Sequence, residues 1–457
     1  MADCGRLSKV LGATIGRHAM PKVTGSGPQA CVGAAADPMR YWFTRLLLLF
    51  LAICFLLQVR SPLRLNNDAI TLLSMGEAAA RGAGFVDGGQ RTVFPPGYPA
   101  VLALLLKLGF AHPWVIISLN LIFLAVGLFA AYSVLVREFF EDKSVVLSIC
   151  LLFLLSYVVI KHFTIPLTDV PFFCCSMCCL AVMSQATSKD SGLRFSMIWG
   201  TAWLLALAAT TVRRVGLALI PSLVFSVLSS TQFRLPLKRM SLRTKLTILV
   251  GSVLVCFGTA QVVRMTSTLS DFTGVASKMK TSALIFRILG YRLTELGELL
   301  GNIPSSRLPT KVHFVMPWVG VVLLLLTLLG LATKGRRIGS TEVFLIGYLV
   351  ILFAWPYYDA RFWLPVIPLL VAYSVLAIDR LSLPKVLVTT YCAVFTVLGF
   401  ISIAYSTQIS FAGSKFPDRY GDGNLRPTYC AAFRSCRDGG DPNEADPKVL
   451  RLLQEYR

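Results

Sequence analysis

Long apolar runs separated by short polar segments dominate the chain. An α-helix needs about 20 apolar residues to cross the hydrocarbon core of a bilayer. A run at 98–110 is too short to cross, and we expect it to be half-inserted or to lie on the membrane surface. The pattern predicts an all-α polytopic membrane protein with about 11 transmembrane helices and interfacial helices in the first outer loop. The predicted spans are 41–59, 114–136, 144–160, 170–186, 195–211, 215–230, 246–263, 314–333, 341–356, 362–378 and 386–405.

Composition supports this class of protein. The 457 residues are 55% hydrophobic and only 15% charged, against roughly 25% charged in an average soluble protein, and their mean hydropathy is +0.68. These values exclude a disordered, collagenous or disulfide-scaffold protein. The formal net charge of +21 would suggest nucleic-acid binding in a soluble chain. Here the basic residues lie in loops between apolar runs, so we expect contact with membrane lipids and phosphate groups and no nucleic acid.

The short loops set the predicted orientation, because Lys and Arg accumulate in the short cytoplasmic loops of membrane proteins. Basic residues cluster before residue 41, in the loop 231–245 and in the loop 334–340. All three clusters lie on one side if eleven spans alternate, and that side is assigned to the cytoplasm. The loops 60–113 and 264–313 and the tail after residue 405 are then expected outside.

Three regions are expected along the chain. Residues 1–38 are rich in Gly, Ala, Ser and Pro and lack helical periodicity, which is typical of a disordered tail or of an upstream start choice. Residues 39–405 form the transmembrane domain. Residues 406–457 form an external tail, whose last helical stretch is expected to dock on the first outer loop. Cys430 and Cys436 in this tail can pair if the outer side is oxidising.

Two acids lie at the predicted outer rim of the membrane. Asp68 follows the first span and begins a short helical stretch, which leads through the rigid segment Phe94-Pro95-Pro96-Gly97-Tyr98-Pro99 into the next apolar run. Asp169 stands at the start of the fourth span, in Thr168-Asp169-Val170-Pro171. An ionisable residue at such a position is a functional candidate. Asp169 also fits the role of a helix N-cap, and the two roles are compatible.

Basic groups occur at the same predicted rim. Arg213 and Arg214 lie between the fifth and sixth spans, and Arg361 precedes the tenth, in Tyr357-Tyr358-Asp359-Ala360-Arg361. Lys161 and His162 lie just upstream of the second acid. These side chains suit either phosphate binding or anchoring at the membrane interface, and the sequence leaves both interpretations open.

Taken in order, these features resemble the integral-membrane glycosyltransferases of the GT-C superfamily, in particular the protein O-mannosyltransferase and aminoarabinose-transferase branches. The resemblance covers roughly residues 41–405 and rests on four elements. They are Asp68 ahead of Pro95-Pro96, Asp169 opening the fourth span, the turn at Arg213-Arg214, and Arg361 followed by Pro365 and Pro368.

The resemblance implies a sugar donor linked to a polyprenyl phosphate and an acceptor that is a glycolipid, a glycan or a protein. It also implies a multi-pass protein of the bacterial inner membrane and cell envelope, with its active site on the periplasmic face. The acceptor hydroxyl loses a proton as it attacks, so a carboxylate is expected as general base. The resemblance gives the following roles: Asp68 and Asp169 as catalytic residues, Arg213, Arg214, Arg361 and Lys161 as ligands of the donor phosphate, and Tyr98, Tyr358 and His162 as substrate-positioning residues.

A metal cofactor is not assigned. A divalent cation needs several oxygen ligands, and the sequence offers only Asp68 and Asp169 at this rim, so a cation shared by these two acids is left open. No glycine-rich nucleotide loop follows a strand, which is consistent with a lipid-linked donor.

Two other function classes remain open from the sequence. A lipid-linked polysaccharide ligase or polymerase shares the basic outer surface. A lipid or sugar transporter shares the many spans, but transporters usually place their charges near the membrane midplane and contain internal repeats.

Overall fold

A computed structural model describes residues 38–185, 193–229, 281–334, 338–420, 425–434 and 445–456. Within these ranges the chain is helical apart from one short hairpin, in which β1 pairs antiparallel with β2. The predicted span 246–263, the basic loop 231–245 and Cys436 lie outside the described residues.

The hairpin lies between the second and the third helix. In chain order the elements are α1 (Pro38–Leu57), α2 (Asn67–Ala80), β1 (Val86–Asp87), β2 (Gln90–Arg91), α3 (Gly97–Lys107), α4 (Pro113–Glu138), α5 (Lys143–Leu154), α6 (Tyr157–His162), α7 (Asp169–Met183), α8 (Leu193–Val212), α9 (Leu219–Ser229), α10 (Thr281–Gly301), α11 (Val315–Thr333), α12 (Ser340–Phe353), α13 (Ile367–Leu381), α14 (Lys385–Ser410), α15 (Phe416–Arg419), α16 (Arg426–Phe433) and α17 (Pro447–Glu455). Short 3-10 helices are Gln58–Arg60, Arg214–Ala218, Ser305–Arg307, Thr310–Val312, Ala360–Val366 and Gly413–Lys415.

The all-α membrane architecture predicted from the sequence is confirmed. Four helical stretches are long and apolar enough to cross a membrane by length and composition among the described residues: Pro113–Glu138, Val315–Thr333, Ala360–Leu381 and Lys385–Ser410. Ten of the eleven predicted runs coincide with helices, and the run 246–263 is not described. The total of eleven spans therefore stays a prediction.

Two hydrophobic clusters organise the chain. The larger one fills the helical bundle around buried aromatic side chains such as Trp199, Phe172 and Trp363. The smaller one joins the first predicted outer loop to the C-terminal tail, through residues such as Leu72 of α2 and Leu452 of α17. Large apolar side chains on the outside of the bundle are exposed, as expected of a surface that faces lipid.

The predicted third span, 144–160, is interrupted. α5 ends at Leu154 and α6 begins at Tyr157, so the backbone groups at the break lose their helical partners. The side chain of Asn302 replaces them: its Oδ1 accepts from the Tyr157 N–H at 2.7 Å, and its Nδ2 donates to the carbonyl oxygens of Leu155 and Phe395 at 3.0 Å. A residue far along the chain therefore completes this helix pair.

The prediction that 264–313 is an outer loop is wrong for 281–301, which form the long helix α10. α10 packs along the candidate span α11 so closely that a Cβ added at Gly297 would lie 2.0 Å from the Met316 carbonyl oxygen. A Cβ at Gly320 would likewise lie 1.8 Å from the Leu293 carbonyl oxygen. The apolar pattern did not predict this helix, because Arg292, Glu295 and Glu298 on one of its faces interrupt it.

The two ends of the bundle carry different polar clusters. At one end, Lys334 bonds Glu342 at 2.5 Å and lies 3.7 Å from Glu138, while its ammonium sits 3.9 Å from the centre of the Phe139 ring. α12 runs from Glu342 at this end to Leu352, which lines a cavity at the opposite end. The short basic loop 334–340 therefore begins at the end of the bundle opposite to that cavity.

The contact predicted between the tail and the first outer loop is present. Arg451 of α17 donates to Glu77 of α2 at 2.6 Å, and Lys448 donates to Asp87 of the hairpin at 2.5 Å. The Tyr429 hydroxyl donates to the Leu63 carbonyl oxygen at 2.8 Å and accepts from the Leu65 N–H at 2.9 Å. Cys430 is disulfide-bonded.

Arg64 ties the same loop to the end of α14. It is almost fully buried, and it donates to the Ser406 carbonyl oxygen at 2.8 Å and to the Ser410 hydroxyl at 2.7 Å. Burial lowers the pKa of Arg64 to about 10, so it stays charged at neutral pH. The first outer loop, which contains Asp68, is thus held from two sides.

Arg451→Ala is expected to loosen the docked tail. Burial and the nearby Glu455 raise the pKa of Glu77, and Arg451 opposes that shift. Removal of this half-exposed partner should lower the free energy that holds α17 on α2 by about 1 kcal/mol. Amide hydrogen exchange in α17 should therefore become about fivefold faster. Gln454→Ala, on the exposed side of α17, is the control. Equal exchange in both variants would show that the pair does not hold the tail.

Candidate active site

A cavity of about 460 Å³ opens at the end of the bundle where α7 begins and α8 ends. Six of the residues singled out from the sequence line it or its rim. They are Asp68, Asp169, Arg213, Arg214, Tyr358 and Arg361. Segments that are distant along the chain therefore meet at this cavity.

Arg361 is the centre of the charged cluster. Its Nη2 donates to Asp68 Oδ2, its Nε forms an ion pair with Asp359 Oδ2 at 2.9 Å, and its Nη1 lies 4.0 Å from Asp169 Oδ2. Arg361 is 7% exposed, so these contacts act in surroundings with little water. One guanidinium thus faces three carboxylates.

Arg213 supplies the second positive charge. Its Nη1 donates to Asp169 Oδ1, and its guanidinium lies 5.3 Å from the centre of the Phe362 ring. Arg361 lies over the same ring at 5.4 Å. The ring keeps the two cations in place by stacking, while the carboxylates neutralise them.

Asp359 is held ionised by its neighbours. Burial alone would raise the pKa of this carboxyl, but the charges of Arg361 and Lys161, with the Arg361 N–H bond, lower the pKa below its ordinary value. Asp359 Oδ1 accepts that N–H at 3.1 Å, which caps the 3-10 helix Ala360–Val366. The acid therefore fixes both the backbone and the side chain of Arg361.

Helix starts present the two predicted acids. Asp68 lies in the first turn of α2, after the cap Asn66, whose Oδ1 accepts from the Ala69 N–H at 2.8 Å. Asp169 is the first residue of α7, where the helix dipole favours a negative charge. The interpretation of Asp169 as an N-cap is wrong, because Thr168 occupies that position. Asp169 is 1% exposed and points its charge at arginines instead.

Close backbone contacts place the arginine turn. A Cβ added at Gly97 would lie 2.6 Å from the carbonyl oxygen of Thr211, two residues before Arg213. A Cβ at Gly216 would lie 2.7 Å from the carbonyl carbon of Ala209. Glycine is therefore needed at both positions for the proline-rich segment and the 3-10 helix to press against the end of α8.

The remaining predicted residues lie at different depths. Tyr358 lines the cavity, and its hydroxyl donates to Glu298 at 2.5 Å. Tyr98 is fully buried with its hydroxyl on Asn120 at 3.3 Å, and His162 is buried with Nδ1 2.7 Å from the Val158 carbonyl oxygen. Lys161 is exposed. Tyr98, His162 and Lys161 are not among the residues that line the cavity.

Two contributions escaped the sequence. Asp359 was not among the predicted site residues, although its position two residues before Arg361 is that of a capping acid. The charged face of α10 lies in the segment 264–313, which the apolar pattern predicts as an outer loop. The spacing of Arg292, Glu295 and Glu298 nevertheless places them on one side of a helix. Among the described residues, no group of three or more His, Cys, Asp or Glu side chains is arranged to hold a metal ion.

The fold has similar chains among solved structures. The chain is similar to ArnT from Cupriavidus metallidurans in the apo state, with a TM-score of 0.50, 16% identity, and coverage of 92% of this chain and 74% of ArnT. A structure of the same ArnT bound to undecaprenyl phosphate gives a TM-score of 0.49 and 15% identity over 86% of this chain and 69% of ArnT. No protein-family model matches the sequence. No curated protein matches it at the sequence level. The ArnT-like fold agrees with the fold class predicted from the sequence.

Proposed function

We propose that this protein is a membrane glycosyltransferase that moves a sugar from a polyprenyl-phosphate donor to an acceptor hydroxyl. One observation carries the proposal: Asp68, Asp169, Arg213 and Arg361 converge on one cavity that is also lined by many apolar side chains. Carboxylates and arginines at an apolar cavity provide what an acceptor hydroxyl and a lipid phosphate each require.

The reaction needs one base and one stabilised leaving group. The acceptor oxygen forms a bond to the anomeric carbon, and the bond between that carbon and the phosphate oxygen breaks. The acceptor proton passes to the Asp68 carboxylate, and the electron pair of the broken bond leaves with the polyprenyl phosphate. Asp68 is the more exposed of the two predicted acids, with a side chain 32% exposed against 2% for Asp169. Exposure suits a group that meets an incoming acceptor.

Arg213, Arg214 and Arg361 form the proposed phosphate site. All three line the cavity, and a phosphate gains negative charge as it leaves. The phosphate competes with Asp68 for Arg361, so donor binding draws the guanidinium toward the phosphate and leaves Asp68 free to accept a proton. Asp169 and Asp359 keep Arg213 and Arg361 within the cavity throughout.

The apolar wall suits the lipid part of the donor. Val215, Ile351, Leu352 and Trp355 line the cavity next to the arginines. A prenyl chain that passes over these side chains removes apolar surface from water, which favours binding by about 25 cal/mol per Å². A soluble sugar nucleotide would make no use of this wall.

The other predicted residues are given supporting roles. Tyr358 positions the sugar or acceptor through its hydroxyl; burial raises its pKa, so it remains a protonated donor at neutral pH. Lys161 acts on Asp359 by charge. Burial lowers the pKa of His162 to about 3, so it is neutral and supports its own helical turn through the Val158 carbonyl oxygen. Tyr98 supports α3 through Asn120. The acceptor is a glycolipid, a glycan or a protein. The site faces the outer side of a bacterial inner membrane.

A topology experiment tests the proposed orientation. A reporter that is active only outside the cytoplasm is expected to be active when fused after Arg457. The same reporter inserted in the loop 334–340 should be inactive, because Lys334 lies at the end of the bundle opposite the cavity. The reverse pattern, with both fusions well expressed, would place the cavity on the cytoplasmic side.

Asp68→Asn is expected to abolish transfer while the protein still folds and binds donor. The amide keeps the shape of the carboxylate but cannot accept the proton, and a general base contributes about a hundred- to ten-thousand-fold. Transfer of a labelled sugar by purified variants measures the effect, with the exposed Asp418→Asn as control. Asp169→Asn should be less damaging. Normal turnover by Asp68→Asn would rule it out as the base, and a larger loss at Asp169 would exchange the two roles.

Arg213→Ala, Arg214→Ala and Arg361→Ala should each weaken donor use by about 2 kcal/mol, which is typical of a charge-assisted hydrogen bond. Lysine at these positions should restore only part of the loss, because the two-pronged guanidinium contact is absent. The donor dependence of transfer is the measurement. Arg307→Ala is the control, since this exposed arginine contacts Tyr405 and does not line the cavity. Unchanged donor dependence in all three variants would move the phosphate site elsewhere.

A further inference from the structure

We propose that the charged face of α10, defined as Arg292, Glu295 and Glu298, positions the segment 357–363 and thereby sets where Arg361 stands in the cavity. These three are positioning residues, because none of them lines the cavity. The effect on turnover rests on the function proposed above, whereas the effect on the segment itself does not.

Glu295 forms hydrogen bonds to the segment on both sides of Arg361. Its Oε1 accepts from the Asp359 N–H at 2.7 Å, and its Oε2 accepts from the Trp363 indole N–H at 2.8 Å. The two donors lie two residues before and two residues after the arginine. Glu295 is fully buried, so both bonds are shielded from competing water.

Arg292 neutralises this carboxylate and adds a third contact. Its Nη1 forms an ion pair with Glu295 Oε2 at 2.9 Å, and its Nη2 donates to the carbonyl oxygen of Tyr357. Its guanidinium also lies 5.7 Å from the centre of the Phe362 ring, the ring that carries Arg213 and Arg361. Without Arg292, the Glu295 carboxylate would be left as a buried charge without a cation, which is strongly destabilising.

Glu298 extends the same face by one turn. Its Oε1 accepts from the Tyr358 hydroxyl at 2.5 Å and from the Ser305 N–H at 2.6 Å, and its Oε2 accepts from the Tyr157 hydroxyl at 2.6 Å. Residues 357, 358, 359 and 363 are thus each bonded to the charged face of α10. No such array is needed merely to connect α12 with α13.

The packing of α10 on α11 fixes the direction in which the charged face points. The glycine contacts of α10 with α11 allow the backbones to touch, and a shift of one residue would rotate the charged face by about 100°. The carboxylates would then leave the segment 357–363. The position of Arg361 is therefore determined by how α10 packs on a neighbouring helix.

Glu295→Gln tests the proposal. Glutamine can still accept from the Asp359 N–H, but its amide NH₂ then opposes the indole N–H of Trp363, donor against donor. Glu342→Gln is the matched control: it is a buried glutamate that bonds a cation and an aromatic hydroxyl, Lys334 and Tyr373, at the other end of the bundle. Both variants lose a buried charge, and only the first touches the segment.

The first measurement is independent of activity. Amide hydrogen exchange over 357–363 should accelerate in Glu295→Gln and stay at the wild-type rate in Glu342→Gln. Adding Trp363→Phe removes the opposed donor, so the double variant should exchange more slowly than Glu295→Gln alone. Wild-type exchange in Glu295→Gln would overturn the proposal.

The second measurement is sugar transfer per folded molecule. Misplacement of a catalytic group by about 1 Å can lower the reaction rate about a hundredfold. We therefore expect kcat/KM to fall by about this factor in Glu295→Gln, with a higher KM for the donor. Trp363→Phe should restore part of it. A purely structural role would reduce the active fraction and leave KM unchanged, as expected for Glu342→Gln, and that result in Glu295→Gln would refute positioning. If the wild-type protein transfers no sugar, the proposed function fails, while the exchange experiment still decides whether α10 holds the segment.

Discussion

The ion pairs of Arg361 hold the candidate site together. Asp68, Asp169 and Asp359 come from three distant parts of the chain, and without a cation between them their negative charges would repel. Burying a charge without a partner costs several kcal/mol. Arg361 therefore offsets the repulsion where the three segments meet, and several of the surrounding contacts fix its position.

The local structures around Arg361 follow from this requirement. Asp359 caps the 3-10 helix that carries the arginine, and Asp169 uses a helix N-terminus that already favours a negative charge. Arg213 shares Asp169 and stacks on Phe362. Asp359 thus satisfies a backbone N–H and a charged side chain at once.

Much of this arrangement was predictable from the sequence, and the limits have physical causes. Apolar runs identify helices because lipid demands them, and Asp68, Asp169, Arg213, Arg214 and Arg361 stood out because charges at the ends of such runs are costly. The helix α10 did not stand out, since most of the hydrogen bonds that satisfy its glutamates come from donors 60 or more residues away. A pattern along one segment contains no information about such partners. The depth of Tyr98, His162 and Lys161 depends on packing in the same way.

The break between α5 and α6 has a consequence for how the chain is made. A backbone carbonyl or N–H without a partner is costly inside a membrane. The groups at Leu155 and Tyr157 receive theirs from Asn302, which the ribosome adds almost 150 residues later. During that interval the nascent segment must remain in contact with water, the insertion machinery or another chain. This helix pair therefore obtains these hydrogen bonds only after the chain has been synthesised as far as Asn302.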